Sequence, residues 1–174
     1  MGLAVEFVRT YFLEEKIESI FFILIGLASL ILALLFLLII KYSFYKGLAI
    51  PLMIVGIIQL TVGFNVLLKT DLKIERAEDF VLHQNKEKND EIKRINIVMK
   101  NFKIYKWIEI LLILLGLVLF FYVHSGNQIF WKGIGLGLLI QGSLMLSLDL
   151  LAEKRSKFYL TKLNELIENP VIQK

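Results

Sequence analysis

Asp149 is a carboxylic acid inside an otherwise uncharged run, roughly one helical turn from the end of that run. An ionisable group in an apolar segment of membrane length is expensive to bury, which makes it a functional candidate. It would then line a permeation or ligand path together with Gln59, Asn65 and Gln141. The structural alternative pairs Asp149 with Lys154, Arg155 or Asn65 and uses it to fix packing, and its shallow position favours that alternative. Glu18 and Glu109 each open an apolar run. As paired carboxylates at the membrane interface they would form a coupled proton or cation site. As structural groups they are acids near a helix N-terminus, where the helix dipole stabilises them, and this is the working expectation.

Gln59 and Gln141 lie near the middle of two other runs. Hydrocarbon offers them no hydrogen-bond partner, so each must bond within the protein. Their ordinary role is to join helices, at about 0.6–2 kcal/mol per contact. Gly56, Gln59 and Gly63 recur at i, i+3 and i+7 and share a helical face. Gly135, Gly142 and Asp149 are spaced by seven and share another, turned toward protein. Gly133-x-x-x-Gly137 has the small-residue spacing that lets helix backbones approach closely.

The rest of the inventory excludes more than it offers. There are no cysteines, and the two histidines, His83 and His124, stand far apart outside the apolar runs. No glycine-rich phosphate loop, serine–histidine pairing or His/Glu metal motif is present. The expectation is a protein that is not an enzyme and has no catalytic residue, cofactor or metal. Basic and acidic residues alternate in the charged middle segment, so nucleic acid is not an expected partner.

The elements that must position these residues are long and apolar. The chain is 57% hydrophobic, with mean hydropathy +0.69. Uncharged or nearly uncharged runs at about 19–40, 47–68, 107–123 and 133–152 read as membrane spans. The predicted fold is an all-α bundle of four transmembrane helices in a single domain, 1–174. Pro51 is expected in the first turn of its helix, where a missing N–H costs little. Residues 2–16 read as an interfacial lead-in carrying Val5, Val8 and Phe12. The segment 69–106 reads as helical on both sides of a turn at His83–Asp90, and its downstream helix runs unbroken into the third span. A helical tail follows at 153–168. The extensions Ile92–Phe102 and Tyr159–Ile167, joined by Leu72–Phe80, carry apolar faces that need a partner: one another or a second chain.

Of the 20 Lys/Arg, two lie in the lead, ten in 69–106 and five in the tail, against three in the two short loops. The positive-inside rule then places both termini in the cytoplasm. Two strings recur: Lys16-Ile-Glu18 before Gly26 and Lys106-Trp-Ile-Glu109 before Gly116; Phe44-Tyr-Lys-Gly47 and Phe130-Trp-Lys-Gly133. A duplicated hairpin explains them, with parallel repeats about an axis along the membrane normal. The alternative is that aromatic-Lys-Gly is simply what a membrane interface selects.

In size, in its four spans and in its cytoplasmic termini, the chain resembles the small four-helix inner-membrane immunity proteins of pore-forming bacteriocins. The resemblance covers architecture and carries over no residue's role. It implies recognition of a membrane-targeted toxin through helix–helix contacts in the bacterial inner membrane. The expected function is therefore such an immunity protein or an accessory subunit of a membrane complex. The expected partners are the lipid bilayer and a protein partner or a second copy, with Gly137 and Gln141 as contact points. A small oligomeric channel or transporter is the alternative.

Overall fold

The computed structural model describes the backbone of residues 2–82, 86–121 and 128–168, and side chains within 6–75, 90–121 and 128–165. His83, His124, Pro170 and most of the second short loop lie outside the described residues. The chain forms four helices: α1 Gly2–Leu38, α2 Ser43–Leu82, α3 Lys86–Phe121 and α4 Gln128–Glu168. No strand occurs among the described residues. Each helix is continuous from its apolar run into its charged one, because no glycine–proline break or capping signal interrupts the join. All four are long and apolar enough to cross a membrane.

The turn between α1 and α2 is short. The Ile39 and Ile40 amides bond to the Leu35 carbonyl, and the Tyr45 and Lys46 amides to the Tyr42 carbonyl. α2 therefore starts four residues ahead of Gly47, and Pro51 sits inside the helix rather than in its first turn. There it removes an N–H from the ladder, and its ring packs against Gly137 of α4.

α1 packs along α2, α3 along α4, and α2 and α4 join the two hairpins, with a lesser contact between α1 and α4. Around the membrane-length portion the outer helices carry large exposed apolar side chains, among them Leu24, Leu27 and Leu34 of α1 and Trp107, Leu111 and Leu114 of α3. In water such surface would cost about 25 cal/mol per Å²; in hydrocarbon it is the natural exterior.

The charged ends converge on a second core. Val8, Tyr11 and Phe12 of α1, Ile95 of α3, and Tyr159 and Leu163 of α4 are buried together, with Ile74, Ile92 and Met99 packed against them. The Tyr11 and Tyr159 rings stack with centroids 4.0 Å apart. The extensions thus partner one another. Two expectations change. The lead of α1 is a core element, not an interfacial strip, and Ile74 rather than the exposed Leu72 is the contact from α2.

Candidate functional site

The membrane-length portion is built on glycine seams. Within the first hairpin Gly26 faces Gly56, and a Cβ on either would meet the other's carbonyl oxygen at 2.9–3.1 Å. Seven residues further along α2, Gly63 faces the Ser19 carbonyl and Ile23. The second hairpin repeats the design. Gly116 faces Gly135, and Gly142, seven residues on, faces Ile113 and the Glu109 carbonyl. Between hairpins, Gly47 lies on the Phe130 carbonyl and Gly133 on the Phe44 carbonyl, so the two aromatic-x-Lys-Gly strings clasp each other reciprocally. A side chain at either glycine would overlap backbone.

The amides Gln59 and Gln141 meet across the α2–α4 contact. The Gln59 side-chain amide donates to the Gln141 carbonyl oxygen at 3.1 Å. The Gln141 amide donates to the Ser29 hydroxyl of α1 at 2.7 Å. Both glutamines are buried to 1% exposure or less, and the Gln59 Oε1 receives no hydrogen bond from any described donor. This chain ties three helices together. The sequence marks both glutamines as helix-joining groups and places Ser29 with Gly26 and Ala33 in a small-residue stripe, without showing that Ser29 meets Gln141.

The carboxylates are distributed differently from expectation. Glu18 pairs with Arg155 of α4 at 2.6 Å, so Glu18 and Glu109 have different partners. Arg155 is thereby taken, and Asp149 instead faces Glu109 across the α3–α4 seam, close enough for a side-chain hydrogen bond. Glu109 is 2% exposed, and neither of its carboxyl oxygens meets an N–H or O–H donor among the described residues. It stands opposite Gly142, nine residues along α4 from the Gly133 clasp, or about 14 Å at roughly 1.5 Å per residue. That is the middle of the fourth apolar run.

Asn65 is exposed and donates back to the Thr61 carbonyl of its own helix. Gln59 and Gln141 thus face each other, while Asn65 turns back on its own helix and Asp149 faces Glu109. Gly137 packs on Pro51 and the Leu48 carbonyl, so Gly137 and Gln141 serve the chain's own α2–α4 contact. No cluster of three or more metal-ligating residues occurs among the described residues.

At the charged end, ion pairs frame the aromatic core. Lys73 meets Glu15 at 2.7 Å, Lys16 meets Asp71 at 2.8 Å, and Lys106 bridges α3 to Glu153 of α4. Hydrogen bonds from Lys106 and Lys157 hold the Glu153 carboxyl below the usual range. Arg94 lies over the Phe12 ring and forms a two-pronged bond to Glu91. Glu91 in turn accepts from the Tyr159 hydroxyl at 3.1 Å. Burial, and then Glu91, push that hydroxyl well above the ordinary tyrosine range.

The fold and site define an all-helical chain with four helices fit to cross a membrane, tied by glycine seams and interhelical amides. No family model, curated protein or solved structure matches the chain.

Proposed function

We propose that this chain is a non-enzymatic multi-pass protein of the bacterial inner membrane, with both termini in the cytoplasm, that acts by recognising another membrane protein through helix–helix contacts. An immunity factor against a membrane-targeted toxin, or an accessory subunit of a membrane complex, fits that description. The observation that carries the reading is the placement of α3. The extensive contact of α3 is with α4, while Trp107, Leu111, Leu114, Leu115 and Val118 stay exposed. Such a face, backed by a rigid glycine seam, suits docking of a further helix. The polar groups Gln59, Gln141 and Ser29 bond to one another, which supports a packing role for them over a path.

Site-specific photocrosslinkers at Leu111 and, for comparison, at Leu27 of α1 test the proposal in native membranes. A discrete protein adduct from Leu111 but not from Leu27 is expected. Lipid adducts alone from both positions would overturn it. The channel or transporter reading draws on one observation, the buried acid Glu109. Ion or solute flux in reconstituted vesicles would select it.

A further inference from the structure

The two hairpin seams can be aligned residue by residue on their glycines. Ser19 and Gly26 are seven apart, as are Glu109 and Gly116; Gly56, Gly63 and Thr70 step by seven, as do Gly135, Gly142 and Asp149. The contacts follow the same alignment, since Gly26 meets Gly56 as Gly116 meets Gly135, and Gly63 meets Ser19 as Gly142 meets Glu109. Within each glycine seam, Ser19 and Thr70 therefore take the places of Glu109 and Asp149, seven residues farther along from the Gly47–Gly133 clasp. Both hydroxyls are buried and bond to their own helices, Ser19 to the Lys16 carbonyl and Thr70 to the Val66 carbonyl.

The first hairpin shows that this seam packs without acids. The second sets a buried, donorless carboxyl against another carboxyl in the inner half of the apolar run. Two neighbouring carboxylates, Glu109 buried and Asp149 half-buried, repel when both are ionised, and neither then offers the other a donor. The charged groups around them leave the balance unchanged: Lys106, one turn away on α3, is bound to Glu153, which also holds Lys157. Arg155 is bound to Glu18.

We propose that Glu109 and Asp149 form a binding site for one monovalent cation, a proton or a sodium ion, held between the two carboxyls at the α3–α4 seam. Occupancy lets the carboxyls meet; its loss leaves two like charges that drive α3 away from α4. Because α4 is the main neighbour of α3, the site would set how firmly α3 is docked. The inference stands whether or not α3 meets a partner.

Infrared spectroscopy of the full-length protein in lipid vesicles tests the site, using wild type, Glu109→Gln, Asp149→Asn and, as a control, Glu18→Gln. If the cation is a proton, wild type and Glu18→Gln show a protonated-carboxyl band at neutral pH that is absent from Glu109→Gln and Asp149→Asn. If it is sodium, adding sodium in place of a large organic cation shifts the carboxylate bands of wild type and Glu18→Gln only. A wild-type protein with neither signal, or with signals that persist in both Glu109→Gln and Asp149→Asn, overturns the proposal. Wild type carries the decisive signal, so a failure of a variant to fold does not shield it.

Discussion

The first hairpin buries Ser19 and Thr70 along its glycine seam, where the second buries Glu109 beside a half-buried Asp149. The backbones meet in the same way in both, through glycines facing carbonyls, so the acids are not what the packing needs. A hydroxyl can return its proton to a carbonyl one turn back, as Ser19 and Thr70 do, and leave nothing unpaired. A carboxyl pair has no such exit in hydrocarbon. The first hairpin is thus a closed structural unit that the Ser29–Gln141 bond ties to α4, while the second holds chemistry that needs an outside cation.

The largest expected effect lies in the shared part of the design. Gly56→Leu and Gly135→Leu should each destabilise the bundle by about 3 kcal/mol, the upper end for overpacking, because the obstacle is backbone. Denaturant unfolding in detergent checks this, and a much smaller loss in one hairpin would break the equivalence of the seams. Next comes Ser19→Glu with Thr70→Asp, which installs an acid pair in the first hairpin. It should cost on the order of 2–3 kcal/mol by the same measurement, the penalty for an unpartnered charge in an apolar segment.

Gln141→Leu should cost about 1–2 kcal/mol, since it strands both the Gln59 amide and the Ser29 hydroxyl. Gln59→Leu should cost less, because Gln59 makes one of those bonds and its Oε1 is already unpaired. Equal losses would mean that the link to α1 adds nothing. The smallest effect concerns Lys106 and Glu153. Glu153 is held lower in the folded protein than in the unfolded chain. Its contribution is therefore present above the ordinary carboxyl range and is lost as pH falls through the lowered folded value. Glu153→Gln should flatten the acid limb of the stability profile, and an unchanged limb would remove Glu153 from the account.

Much of this was legible in the sequence. Uncharged runs of membrane length leave helices as the fitting answer, and the seven-residue steps of Gly135, Gly142 and Asp149 announce a packed face. What the sequence withholds is pairing across the bundle. Spacing fixes which residues share a helical face but not which face meets which, so Asp149 reads as a partner for nearby Arg155 when Arg155 is bound to Glu18. The equivalence of Glu18 with Glu109 is a one-residue error of the same kind. Matching acid to acid misses what counting from Gly26 and Gly116 recovers: Ser19 holds the place of Glu109. Tyr159 reads as one member of the apolar face of the tail, while Tyr11 does not stand out, because a short amphipathic lead reads equally well as membrane-surface or core. Their aromatic spacing gains meaning only when the charged ends come together.

The central claim is that the two seams share one packing design and that the acids of the second serve a cation instead of the fold. Its most direct test replaces the acid pair by the hydroxyl pair, Glu109→Ser with Asp149→Thr, and measures unfolding free energy at neutral pH in the same lipid or detergent as wild type. The account predicts a folded protein of equal or greater stability. A loss of about 2 kcal/mol or more, the scale of a broken buried network, would show that the carboxyls hold the α3–α4 seam together and would contradict it.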